Sequence, residues 1–197
     1  MAKAKKKKVK FLPILMVLAI ALALVAIIVP IATDFFIYRV SIPEIDLGIT
    51  TIKAQTINNV FKGTDVLFGS KTENGTVVYE GSVIGLVAFI LSIAGAVFAI
   101  LALVLGLMKK RGIARFVALV GGLVLLVGGI MYACAPANFI STNLATMDDL
   151  VNGLLENIGS LLDLDITKSN VLDIGAWLGL VGGCLGGVSC IGGAILG

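Results

Sequence analysis

The chain has 197 residues, a net charge of +3 and no histidine, which excludes His-based acid–base catalysis, Ser-His-Asp triads and most zinc sites. Its hydrophobic fraction is 58%, well above the roughly 45–50% of a soluble domain, and its mean hydropathy is +1.09; lipid rather than water is the expected solvent. The three cysteines, Cys134, Cys184 and Cys190, all lie in apolar segments, so no disulfide framework staples the loops.

Residues 1–10 carry six lysines, Lys3, Lys5, Lys6, Lys7, Lys8 and Lys10. Residues 11–33 then form the first expected transmembrane helix, with the uncharged run Phe11–Ala32 at its heart. A basic start followed by an apolar run also describes a secretory signal. This run exceeds the 7–15 residues of a signal core, and Pro13 and Pro30 sit near its ends, where a helix tolerates proline. An uncleaved span is the reading adopted, with the lysines anchoring the membrane surface.

Residues 34–81 form the first outer segment, rich in β-branched and aromatic side chains. Phe35–Ile42, Ile49–Ile57, Val66–Phe68 and Val77–Tyr79 are predicted as short strands. Asn74-Gly75 is the pair favoured in a two-residue type I′ hairpin turn. A small antiparallel sheet of three or four strands is expected, resting on the helix ends. Asn74-Gly75-Thr76 is also a glycosylation sequon, although the turn already accounts for the Asn-Gly pair.

Residues 82–108 and 113–137 are the second and third expected spans, joined by the four-residue turn 109–112. A crossing helix needs about 20 apolar residues for about 30 Å of hydrocarbon, so two such runs with so short a link form a helical hairpin. Small residues recur at four-residue spacing in the first, at Ala88, Ser92 and Ala96. The second has Gly121, Gly122, Gly128 and Gly129 on one face. Such ridges let helix backbones approach closely.

Residues 138–173 form a second outer segment. Met147, Leu150, Val151, Leu154, Leu155, Ile158, Leu161 and Leu162 follow the i, i+3, i+4, i+7 stripe of an amphipathic helix. That stripe is expected to cover the sheet or to lie on the outer membrane surface. Residues 174–197 are the fourth span. Gly175, Gly179, Gly183 and Gly187 form an unbroken ladder; Gly182, Gly186, Cys190 and Ala194 form a second. Two small-residue faces fit a helix held between two neighbours, within the chain or across protomers. Trp177 suits the interfacial aromatic belt.

Charge sets the expected threading. One side of the membrane would receive the six N-terminal lysines with Lys109, Lys110, Arg111 and Arg115, and no acidic residue. The other would receive five basic residues and all 12 acidic ones. The positive-inside rule makes the first side cytoplasmic, with both termini in the cytoplasm and the cell (plasma) membrane as the site of a multi-pass protein.

Chemistry is sparse. No span has a charge at its centre, against an ion or proton relay. No phosphate-binding glycine loop precedes a Lys-Ser/Thr pair. Asp148, Asp149, Glu156, Asp163, Asp165 and Asp173 could offer hard oxygen ligands, but no spacing matches a calcium loop, and a solvated acidic face is the simpler reading. No catalytic, cofactor-binding or metal-binding residue is therefore assigned, and no enzyme activity is expected.

The layout is a short basic N-terminus, a span, a strand-rich outer segment, a tight inner hairpin, a second outer segment and a last span. It resembles the claudin and peripheral-myelin-protein tetraspan superfamily. The likeness is one of topology: the family's Trp, Gly-Leu-Trp and paired-cysteine hallmark does not occur between Asp34 and Gly81, so no site residue is carried over. The resemblance implies an adhesion, barrier or accessory role at the cell surface. The expected fold is an all-α four-helix transmembrane bundle with a small outer antiparallel sheet and one amphipathic outer helix. The expected function is that of a non-enzymatic scaffold, adhesion component or accessory subunit acting through the outer cap. The alternative is a pore or transporter subunit for an uncharged or lipid-like solute. Expected partners are membrane lipids and other membrane subunits or further copies of the chain, and not nucleic acid.

Overall fold

The computed structural model describes residues 11–46, 51–71, 77–143 and 167–196. In chain order the elements are α1 (Phe11–Ala32), β1 (Asp34–Ile42), β2 (Ile45–Asp46), β3 (Thr51–Ile52), β4 (Gln55–Lys62), α2 (Gly63–Phe68), β5 (Ser70–Lys71), β6 (Val77–Tyr79), α3 (Val83–Leu107), α4 (Arg111–Thr142), β7 (Thr167–Leu172) and α5 (Ile174–Leu196). The amphipathic stripe, the Asn74-Gly75 turn and the N-terminal lysines lie outside the described residues.

Four helices, α1, α3, α4 and α5, are long and apolar enough to cross a membrane. They pack in a closed ring, α1 on α3, α3 on α4, α4 on α5 and α5 back on α1. Each turns small residues inward and large ones outward. On α1, Met16, Ala19, Ala23 and Ala26 are fully buried, while Ile14, Val17 and Ile28 are exposed. Val97 on α3, Phe116 on α4 and Leu185 on α5 are likewise exposed. Together they make an apolar outer surface on the bundle, larger than the patches a water-soluble monomer usually exposes.

The α3–α4 link is a Schellman turn. Lys110 N–H donates to Leu105 O at 3.0 Å and Lys109 N–H to Gly106 O at 3.2 Å. Lys109 takes the left-handed conformation, φ 63°, where glycine is usual.

Helix α4 has 32 residues, about 48 Å at 1.5 Å per residue. It runs through Pro136 to Thr142, whereas the sequence reading ends the span at residue 137. Pro136 does not stop the helix because Asn138 anchors the next turn: its Oδ1 accepts from Ser82 Oγ at 2.9 Å and from Ile84 N–H at 3.3 Å. The overshoot forms a post, and a cap of strands is built around it.

The main sheet has order β4–β1–β7, all antiparallel. Its central strand follows α1, and β7 comes from the stretch between α4 and α5, immediately before α5. A bulge at Phe35 interrupts the β1–β4 register and lets both Phe35 and Phe36 point inward, fully buried. Phe36 stacks on Phe61 at 4.9 Å between centroids, and both meet Phe139 of the post, at 5.8 and 5.4 Å. Tyr79 closes the cluster against Phe61 at 5.4 Å.

Two predicted strands differ from the structure. Val66–Phe68 is helical, part of α2. Gly63 N–H donates to Thr33 O at 3.0 Å, and Gly63 lies so close to the Pro30 carbonyl that a Cβ there would collide with it. The chain thus turns over the end of α1 in a single helical step that buries the adjacent residues Val66 and Leu67, which a strand's alternation does not allow. The predicted strand Ile49–Ile57 is divided: Thr51–Ile52 pairs with Ile45–Asp46, and a new strand begins at Gln55 and runs on to Lys62. Of the predicted hairpin, the strand pairing is present, Ser70–Lys71 with Val77–Tyr79 and a register shift between Ser70 and Lys71, while its Asn74-Gly75 turn lies outside the described residues. Strand β7 was not expected.

Candidate interaction surface

The small residues singled out in the helices are all buried: Ala88, Ser92 and Ala96 on α3; Gly121, Gly122, Gly128 and Gly129 on α4; Gly175, Gly179, Gly183 and Gly187 on α5. The glycines among them face other parts of the same chain: Gly175 meets Thr33 and the start of β1, and the rest meet neighbouring helices. A Cβ on Gly183 would lie 2.6 Å from Gly129 Cα, and one on Gly187 would lie 2.6 Å from the Gly122 carbonyl oxygen. In the second ladder of α5, Gly182 and Gly186 face α1, nearest the Leu22 and Ala19 carbonyl oxygens, while Cys190 lies against Gly122 of α4; Gly193, beside that ladder, meets Met16 of α1. Helix α5 is therefore gripped on two faces by α4 and α1. Gly128 approaches the Ala88 carbonyl oxygen and Ser92 on α3.

The hydroxyls deepest in the helices are used locally. Ser92 Oγ donates to Ala88 O at 2.9 Å and Ser189 Oγ to Leu185 O at 2.8 Å. Tyr132 is fully buried against Phe35 and Gly179, with its hydroxyl toward Ser92. Among the described residues no three His, Cys, Asp or Glu side chains gather at one place. Asp173 Oδ1 accepts from Ile174 N–H at 2.7 Å, at the start of α5. Of the basic anchors, Lys109, Lys110, Arg111 and Arg115 are exposed at the hairpin end of the bundle; Lys3, Lys5, Lys6, Lys7, Lys8 and Lys10 lie outside the described residues.

The surface most unlike the rest is the face of the main sheet turned away from the aromatic cluster. Register and alternation place nine side chains there in three rows. Val60, Ile37 and Val171 form the row nearest the helices. Asn58, Arg39 and Ser169 form the middle row, and Thr56, Ser41 and Thr167 the far one. The face is open: Val60 is 51% and Val171 40% exposed, and the middle and far rows are exposed on both edge strands.

No family model matches this chain, and no curated protein matches it.

The chemistry of the face centres on Arg39. Its Nε–H donates to Asn58 Oδ1 at 3.2 Å, which fixes the guanidinium plane. Ser41 Oγ and Thr56 Oγ1 lie 3.5 Å apart in the next row. The grid holds no acidic side chain. It is a flat patch with a cation at its centre, flanked by hydroxyls on one side and an aliphatic row on the other. The one-sequence reading missed it because a grid exists only once register is known, and its third column comes from β7.

At the cap's inner edge, burial pushes the Tyr79 phenol above its usual pKa of 10.0, and the negative charge of Asp65 adds to the shift.

Proposed function

We propose that the protein is a non-enzymatic, four-span component of the cell (plasma) membrane, with both termini in the cytoplasm, that acts as a scaffold, adhesion component or accessory subunit through its outer cap. The observation that carries this reading is the cap itself. Helix α4 outruns its neighbours and carries a three-stranded sheet at the end of the bundle, and that sheet keeps one face open while the other packs on Phe139. Fixing so much chain around a post costs conformational entropy, which fits a surface held in shape for recognition. The charge partition of the sequence supports the orientation, and the claudin-like layout points to the same kind of role. Glycine faces that bring backbones together support a tightly packed bundle.

The pore or transporter-subunit reading has weaker support, because Ser92 and Ser189 spend their hydroxyls on their own helices. Three measurements test the proposal. A membrane-impermeant maleimide should label Thr56→Cys on intact cells; labelling only after permeabilisation would reverse the orientation. Cross-linking from the cap in native membranes should capture a defined neighbour, while purified protein in liposomes should pass no small solutes. Solute flux without a captured neighbour would favour the pore reading.

A further inference from the structure

We propose that the open sheet face docks an acidic polypeptide segment, with a carboxylate on Arg39 and an apolar side chain beside it. The inference rests on the reading of the cap as a recognition surface and adds the partner's chemistry.

The argument starts from the guanidinium. Arginine offers its donors as a planar fork that matches a carboxylate with two parallel hydrogen bonds. Here the Nε side of the fork is held by Asn58, so the plane is fixed and the terminal nitrogens remain for a partner. Pre-orienting a long side chain removes part of the ordering cost that binding would otherwise carry. Among the described residues no carboxylate pairs with Arg39. Its in-register neighbour on β7, Ser169, and the Thr56–Ser41 pair in the next row add neutral polar groups at spacings of about 5 Å across strands and 7 Å along them.

The aliphatic row selects among anions. Val60 and Val171 lie directly across from Ile37 and are exposed on the same face as Arg39. A free phosphate or a sulfated sugar has no use for that row, whereas a peptide carrying an acidic and an apolar side chain uses both. Anionic lipid headgroups fit less well. Arg39 lies five residues along β1 from Asp34 at the end of α1, about 17 Å of strand, and headgroups extend only about 5–8 Å beyond the hydrocarbon. Among the described residues of the cap, Asp34, Glu44, Asp46, Asp65, Glu80 and Asp173 are acidic and Lys53, Lys62, Lys71 and Lys168 basic; none of them is among the nine side chains of the grid, so Arg39 is its one charge and gives an approaching carboxylate one place to dock there.

The test uses the full chain in sealed liposomes of neutral lipid, sorted so that an N-terminal tag is shielded and only the cap faces the bath. The probes are a rhodamine-labelled dodecapeptide of repeated Glu-Glu-Val-Val, which shows both side-chain types on each face of an extended chain, and its glutamine counterpart, followed by fluorescence anisotropy. The glutamate peptide should bind and the glutamine peptide should not, with affinity falling as salt rises. Arg39→Gln should weaken binding by up to about five-fold, the upper end for one exposed ion pair. Arg39→Lys should recover part of the loss, and Asn58→Ala should weaken binding by a smaller factor through loss of orientation. Equal binding by wild type and Arg39→Gln would overturn the site. Absence of binding, or complete displacement by millimolar phosphate, would overturn the partner chemistry. These failures are separable from failure of the recognition reading: if cap cross-linking captures the same neighbour with Arg39→Gln as with wild type, only the present inference falls.

Discussion

The side chain of Asn143 pairs with Glu80 as a neighbouring strand would. Its Oδ1 accepts from Glu80 N–H at 2.8 Å and its Nδ2 donates to Glu80 O at 2.9 Å. The same Nδ2 also donates to Phe139 O at 2.9 Å. The tip of α4 is thereby tied to the chain entering α3, and Asn138 repeats the tie one turn lower through Ser82 and Ile84. Asn143 is 5% exposed, so these bonds face little competition from water. Asn143→Ala should destabilise the protein by about 1–3 kcal/mol, read as a lower midpoint in detergent-denaturation curves. Asn143→Asp should not rescue, because it places an acceptor against the Glu80 carbonyl.

The glycine contacts predict opposite outcomes for one chemical change. At Gly183 an added methyl meets the Gly129 backbone, and neither backbone can give way without moving a helix. Gly183→Ala should cost about 1–3 kcal/mol. At Gly112, also helical, an added Cβ meets nothing within 4 Å. Gly112→Ala should be neutral or stabilising by about 0.4–1 kcal/mol, through restriction of the unfolded chain. Paired unfolding curves check both, and equal effects would show that α4 and α5 do not pack backbone to backbone.

Phe139 ties the sheet to the post, touching Phe36, Phe61 and Tyr79. Phe139→Ala should cost about 3–5 kcal/mol, as expected for a large buried aromatic. The loss should fall on the cap, so limited proteolysis should cut between residues 34 and 81 first and leave the helices protected. Phe139→Leu should keep most of the protection.

Tyr79 sets an alkaline limit. Its pKa is higher folded than unfolded, so the unfolded chain gives up this proton first. Its contribution is complete below about pH 10 and is lost as pH rises from there through the raised folded value. Stability should fall over that range, and Tyr79→Phe should flatten this part of the profile. Unfolding curves at successive pH values, with phenolate absorbance followed in parallel, measure both.

Lys109 holds a conformation that suits glycine. Lys109→Gly should stabilise the hairpin by up to about 1 kcal/mol, while Lys109→Val should destabilise it. Denaturation midpoints of the two variants separate the backbone effect from the loss of one positive charge, which both share.

What could be read in advance followed from strength of signal. The four helices were legible because each carries about 20 or more apolar residues, and no water-soluble element needs such runs. The small-residue faces were legible from spacing alone. The overshoot of α4 was not, because Pro136 and the polar Asn138, Ser141 and Thr142 look like the start of a loop. Strand β7 was hidden by its composition: Thr-Lys-Ser-Asn-Val-Leu has little apolar alternation, since exposure is nearly uniform along it. Val66–Phe68 was misassigned because β-propensity reports fit to a pleated surface, and here three apolar residues serve a single helical turn. Arg39 was visible as a residue but not as a centre, since its surroundings come from three separate stretches of chain.

The partnership of β1 with β7 joins the first strand after α1 to the last strand before α5. During synthesis β1 and β4 are made early, while β7 emerges only after the α3–α4 hairpin is complete. Until then one edge of β1 stays open, with its amides and carbonyls unmatched. A chain truncated before β7 would therefore carry a sticky flank on its cap, a mark by which cellular surveillance could recognise an unfinished copy.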